Sequence, residues 1–392
     1  MKKYTITTII TCAFLCFGTF AFLRGAYINL KNEYSGQDVS FSTAYNMYES
    51  IKQKDGEYLS GRTYVAYFNG ACQRLLDKKC VIDPGHTVTK LNNGYIAFTV
   101  DKDDYYYTRD YSERLKSLER LKGQLDEHGI GLTFSNVLER NPLNDTRLPY
   151  DCLTFDQDIS GMLDLTEKAG ISTLNMMDNA KDIPMDYYSL FYRTDHHWNV
   201  YGGFYASKML ISHLGYETYE AVTDISSYDE RIAKNCFLGS IGRRVGPYYS
   251  GLDDFTVLYP KFETDLTVVT NGENERYGSF DKTVIFDNYM PTDNTMNTVA
   301  YSAFLNGDNG IQTVKNSMCT NGKKVLLLRD SYGGAMAPYF SLACEELHII
   351  DMRHYDGVAI AQYAVQEDID DVVIMYSSGS LNKTCFNFDM EQ

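Results

Sequence analysis

"KKVLLLRDSYGGAMAPYFSLAC", Lys323–Cys344, is the stretch whose reading decides the fold. Val325–Leu328 is an unbroken apolar run, as expected of a strand buried on both faces of a parallel sheet. "KKVLLLRD" reads as that strand; it runs into a polar turn at Asp330 and Ser331, and "SYGGAMAPYFSLAC", Ser331–Cys344, reads as a helix that starts at once. A serine at such a junction stands at the C-terminal edge of the sheet, where α/β proteins build their sites. It also stands at a helix N-terminus, whose free N–H groups can hold an oxyanion. Ser331 is therefore a candidate nucleophile. A plain helix cap by Asp330 or Ser331 accounts for the same turn.

Outward from this stretch the chain alternates. Downstream, "ELHIIDM" and "DDVVIMYS" read as strands around the helical "GVAIAQYAVQED". Upstream, Leu115, Leu118, Leu121 and Leu125 recur at helical spacing in Ser112–Gly129, and "IGLTFSNVL" reads as a strand. "DISGMLDLTEKAG" reads as a helix that Gly170 ends, and "ISTLNMM" as a strand. A further helix places Val200, Phe204, Ile211 and Leu214 on one face and stops at Gly215. This alternation predicts a parallel α/β sheet. Residues 217–320 break the rhythm. They are rich in Asp, Asn, Gly, Ser and Tyr, with short strands such as "FTVLYP" and "LTVVT", and read as a large insertion shaping a substrate cleft. Before residue 110, "TYVAYF" and "GYIAFTV" read as short strands.

The N-terminus has a different character. Tyr4–Leu23 holds no charged residue, and its length suits a bilayer-crossing helix. No small-x-small cleavage site follows, so residues 1–24 read as an uncleaved anchor, with a signal peptide as the alternative. Lys2 and Lys3 would stay in the cytoplasm. Residues 25–60 then read as a stem and 61–392 as a catalytic domain on the outer side of the membrane. The chain has 36 basic and 52 acidic side chains, a net charge of −16. Lys2, Lys3 and Arg24 belong to the anchor, so the rest is more acidic still. Such a field repels nucleic acid and anionic polymers and favours a neutral glycan or a small acyl group. Nine cysteines form no framework; Cys72 with Cys80 is one conceivable pair.

A second polar cluster stands at Phe191–Gly203, "FYRTDHHWNVYGG". In an extended segment residues i and i+2 share a face, so Asp195 and His197 would lie together while His196 and Trp198 point elsewhere. A carboxylate beside an imidazole fixes its tautomer and supports its positive charge. Asn199 suits a cap for the following helix. A capping role for Asp195 is the alternative. A metal site is the weaker reading, because adjacent histidines on a strand diverge and no H-x-x-x-H or H-E-x-x-H occurs. No phosphate- or dinucleotide-binding glycine motif is present, so no cofactor is expected.

Taken together, "YRTDHHWN…GG…A" and the later "VLLLRDSYG" resemble the DHHW family. These are SGNH-hydrolase-like proteins similar to the alginate O-acetyltransferase proteins of bacterial envelopes. "FLGSIGRR" (Phe237–Arg244), "YSAFLNGD" (Tyr301–Asp308) and "IIDMRHY" (Ile349–Tyr355) add weaker likeness. The resemblance implies a three-layer α/β/α, flavodoxin-like parallel sheet with a circularly rearranged motif order. It also implies a triad of Ser331 as nucleophile, His197 as general base and Asp195 as its orienter. The usual G-D-S is Arg329-Asp330-Ser331 here, so the oxyanion hole is expected from the Ser331 backbone and Tyr332, with "RHY" (Arg353–Tyr355) or "YSSG" (Tyr376–Gly379) as other sources of the second donor. Arg243, Arg244, Arg353 and Tyr355 are candidate substrate contacts. The implied activity is O-acetylation of an extracytoplasmic polysaccharide, often with a multi-pass membrane acyltransferase as acyl source. A carbohydrate acetyl esterase and a catalytically silent glycan-binding or scaffold protein are the rival readings.

Overall fold

The computed structural model describes Cys16, Phe20, Arg24 and residues 62–390, apart from 84–85, 102–109, 141–147, 151–152 and 155–158. Most of the expected anchor and all of the expected stem therefore lie outside the described residues. Among the described residues no helix is long and apolar enough to cross a membrane. The described cysteines, Cys72 and Cys80 included, are free thiols.

Residues 1–77 and 78–392 are separate units. The first contains helix α1, Arg62–Leu75. "TYVAYF" was expected as a strand and is helix instead. The residues that follow it decide this: Tyr64, Phe68, Ala71 and Leu75 recur at helical spacing, which outweighs the short β-branched run.

The second unit begins with an antiparallel meander of β1 (Cys80–Asp83), β2 (His86–Lys90) and β3 (Ile96–Asp101). Helix α2 (Ser112–Asp126) leads into β4 (Gly131–Ser135). The short β5 (Leu153–Thr154) pairs with β3. Helix α3 (Ser160–Lys168), β6 (Ser172–Leu174) and α4 (Val200–Leu214) follow, and then a two-stranded ribbon of β7 (Tyr228–Phe237) and β8 (Asp253–Pro260). Strands β9 (Leu266–Thr270), β10 (Asn274–Gly278), β11 (Ile311–Asn316) and β12 (Lys324–Arg329) precede helix α5 (Gly333–Phe340). The chain continues through β13 (Glu346–Ile350), α6 (Ile360–Gln366) and β14 (Asp371–Met375).

The main sheet has the order β10-β9-β11-β13-β12-β14-β4-β6. From β13 to β6 every pairing is parallel, as the alternation predicts. From β10 to β13 every pairing is antiparallel, so the sheet is mixed. The three antiparallel strands come from the segment read as an insertion. The left-handed pair Asn271-Gly272 (φ 51° and 74°) closes the β9–β10 hairpin. Alternate burial along β9 and β11 then gives that edge one face against the core.

Strand β12 alternates between two cores. Val325 and Leu327 pack with α4 and α5 on one side. Leu326 and Leu328 pack with α2, α3 and α6 on the other. This is the three-layer α/β/α arrangement, with β12 in the interior of the sheet and its C-terminal end facing the site.

Candidate active site

Ser331 follows β12 on a turn that its neighbours hold from several sides. Asp330 is buried. Its Oδ1 accepts the Tyr332 N–H at 3.0 Å, and its Oδ2 accepts the Ser377 N–H (2.8 Å), Ser377 hydroxyl (2.6 Å) and Ser380 hydroxyl (2.8 Å). Asp330 therefore braces the turn against the loop after β14. Arg329, fully buried, donates through Nη1 to Asp308 and through Nη2 to the Gly307 carbonyl at 2.9 Å. Gly333 is required where the chain folds back, because a Cβ there would stand 2.7 Å from that of Arg329. Tyr332, the residue before α5, offers no side-chain cap; of the two capping candidates it is Asp330, which accepts the Tyr332 N–H, that serves the helix start. The Ser331 hydroxyl points to histidine.

Asp195, His197 and Ser331 meet. Asp195 Oδ1 lies 2.7 Å from His197 Nδ1, and His197 Nε2 lies 2.7 Å from Ser331 Oγ. With the carboxylate ionised, Nδ1–H donates to it, which leaves Nε2 as the acceptor for the serine O–H. The local route differs from the extended strand expected. Residues 193–197 form a series of bends closed by a bridge between Phe191 and Trp198. Asp195 Oδ1 also accepts the His197 N–H at 3.1 Å, an Asx turn that brings residue i+2 back to residue i. In this bend His196 does not diverge. Its ring centroid lies 3.8 Å from that of His197, and its Nδ1 hydrogen-bonds with the Ser240 hydroxyl at 2.7 Å. Asn199 does cap α4, accepting from the Tyr201 and Gly202 N–H groups.

Residues from other segments hold this bend, and of these Arg140 carries no evident signal in the sequence. Buried Arg140 donates from Nη1 to the carbonyls of Tyr192 (3.2 Å) and Asp195. The Ser240 N–H donates to Asp195 Oδ2 at 2.6 Å. Gly239 lies so close that a Cβ would stand 2.3 Å from that of Asp195. Trp198 is fully buried, and its Nε1–H donates to the Tyr332 carbonyl at 2.9 Å. The Tyr332 hydroxyl returns a bond to the His196 carbonyl at 2.6 Å. The acid–histidine bend and the serine turn are thus bolted together by Trp198 and Tyr332. The "FLGS" of the sequence finds its role as the floor under Asp195.

Burial alone would raise the Asp195 pKa. The charges of His197 and His196 and the bonds from His197 override it and hold the carboxyl well below the usual range. His196 is also lowered, to about 3, by burial and then by the neighbouring His197. One imidazole of the pair is thereby kept neutral beside the other.

The Ser331 N–H makes no hydrogen bond among the described residues and is available to an oxyanion. Tyr332 is not: its N–H serves Asp330 and its hydroxyl serves His196. Arg353 is held by Asp351 (2.5 and 2.8 Å) and Asp308 (3.0 Å). Tyr355 lines a cleft of about 690 Å³ with Asp308, Asn309, His354 and Asp356. Arg244 lies over the Phe98 ring at 5.4 Å. Arg243 is exposed, on the single turn Gly242–Val245, and makes no ion pair among the described residues.

The fold and this constellation define an SGNH-hydrolase-like α/β/α protein. A family model described as "DHHW protein" matches residues 176–350, and one described as "SGNH hydrolase-like domain, acetyltransferase AlgX" matches residues 98–227. The likeness to the DHHW family read from the motifs is borne out. Among solved structures, a DHHW family protein from Eubacterium siraeum is similar at 17% identity, over 80% of this chain and 98% of that one, with a TM-score of 0.63. Bacillus cereus PatB1, solved with a sulfonyl adduct, is similar at 18% identity, over 79% of this chain and 99% of that one, with a TM-score of 0.62. Comparison with curated proteins gives no match.

Proposed function

We propose that this chain is a serine-dependent O-acetyltransferase acting on a polysaccharide. The observation that carries the reading is the continuous chain of 2.7 Å bonds from Asp195 through His197 to Ser331. The match to the acetyltransferase model over residues 98–227 supports the reaction class.

In this reading the Ser331 oxygen attacks the acetyl carbonyl of the donor while His197 Nε2 takes its proton. The Ser331 N–H holds the oxyanion. The tetrahedral intermediate expels the donor's leaving group, which receives the proton from His197, and acetyl-Ser331 remains. A sugar hydroxyl then attacks that ester and gives its proton to His197. Collapse returns the proton to the Ser331 oxygen and frees the acetylated sugar. Water in place of the sugar makes the same site an acetyl esterase. The uncharged Tyr4–Leu23 supports an anchored domain on the outer face of the membrane, with a multi-pass acyltransferase delivering the acetyl group. Arg243, exposed and close enough for its charge to act on His196, is a cation open to the incoming acceptor.

The test uses a sulfonyl fluoride probe. We expect labelling of the wild-type protein at Ser331 and none in Ser331→Ala. Labelling that survives the substitution sinks the assignment, and a wild-type protein that stays unlabelled favours a silent glycan-binding protein. Incubation with an acetyl ester and candidate oligosaccharides, read by mass spectrometry, then divides the enzymes: acetylated sugar marks a transferase, and acetate alone an esterase.

A further inference from the structure

Tyr301 lies flat against the imidazole of His197, with ring centroids 4.3 Å apart and planes within 14° of parallel. It comes from the single turn Ala300–Ala303 in the segment read as an insertion. Its own position is over-determined. The hydroxyl donates to the Tyr332 carbonyl at 3.3 Å. Burial raises its pKa well above the usual value, so it stays protonated as a donor. The rings of Phe304 and Tyr192 stand edge-on to it, at 5.9 and 6.4 Å. Gly334 leaves it room, since a Cβ there would sit 3.3 Å from its ring.

His197 must keep one ring orientation to point Nδ1 at Asp195 and Nε2 at Ser331 together. Those two bonds lie in the ring plane and resist tilting out of it only weakly. A flat aromatic face resists that tilt directly. The same face offers negative charge density to an imidazolium.

We propose that Tyr301 is a positioning residue that sets the plane of His197 and stabilises its protonated form during acyl transfer. The inference rests on the acyl-transfer reading for its kinetic consequence, and on the stack alone for its geometric one.

Two readouts on the full chain separate these. The first is the rate at which a sulfonyl fluoride modifies Ser331 in wild type, Tyr301→Phe, Tyr301→Leu and Tyr301→Met. Phenylalanine keeps the ring face, so its rate should stay within about threefold of wild type, while Leu and Met should fall about tenfold or more. The second is the Cε1–H resonance of His197 in carbon-13 histidine-labelled protein, assigned by its loss in His197→Gln. Ring current from Tyr301 should shift it upfield in wild type and Phe, and the shift should vanish in Leu and Met. Equal, measurable rates across all four proteins, or a resonance that does not move, overturns the proposal. So does a Phe variant as slow as Leu while its thermal melt matches wild type. If Ser331 is inert in every protein while the resonance behaves as expected, the acyl-transfer reading fails and the positioning of the imidazole stands.

Discussion

Asp195 takes four contacts in a buried bend: the ring and N–H of His197, the N–H of Ser240 and the edge of His196. All of them meet carboxylate oxygens. Asn in its place would aim an amide N–H at one of these donors and favour the wrong tautomer of His197. Under the acyl-transfer reading, Asp195→Asn is expected to slow modification of Ser331 about 10³- to 10⁴-fold with little change in melting temperature. Kinetics with an acyl ester or sulfonyl fluoride measure it. Asp330 answers to a different pressure. Its four bonds join two loops, so Asp330→Ala leaves four donors unsatisfied in a buried place. The expected cost is about 3 kcal/mol, read as a drop in the urea midpoint, with activity lost alongside stability.

At the scale of elements, α4 and α5 pack tightly against each other. Gly203 in the first turn of α4 would place a Cβ 2.4 Å from the Ala335 carbonyl oxygen. Alanine there regains about 1 kcal/mol of helix propensity. It must also push apart two helices that carry opposite halves of the site, His197 just before α4 and Ser331 just before α5. Gly203→Ala is therefore expected to destabilise the protein by about 1–3 kcal/mol net and to lengthen the His197–Ser331 bond. Urea unfolding and the rate of Ser331 labelling report the two effects separately. An unchanged or raised midpoint would show that the helices relax freely.

For the whole molecule, acid stability follows from how charge is buried. His196 titrates near 3 in the folded chain and near its ordinary 6.5 when unfolded. Between those values the unfolded state binds the extra proton, so stability rises with pH through that window and falls as pH drops through it. Its ring edge is one-third exposed, which tempers the effect. Asp195, held low, adds a loss that begins as pH falls into the ordinary carboxylate range, where the unfolded chain takes up the proton first. His196→Gln should narrow the gap between urea midpoints at pH 4 and pH 7 compared with wild type. An equal gap in both proteins would count against His196 as the source.

The sequence by itself determined the parallel half of the sheet, because an apolar run flanked by turn residues and amphipathic helices has few other ways to bury itself. It also marked Asp195, His197 and Ser331 as polar groups at strand and helix ends. The tertiary structure decided the rest. It alone showed that β9–β11 extend the sheet, since strand pairing is a long-range choice that local pattern does not encode. It turned Asp195-His196-His197 into a bend rather than a strand, because Arg140, Gly239 and Ser240, distant in the chain, hold the backbone there. It also laid Tyr301 on His197 and committed the Tyr332 N–H to Asp330. A side chain's partners depend on contacts between segments far apart in sequence, and only the folded chain brings those segments within bonding distance.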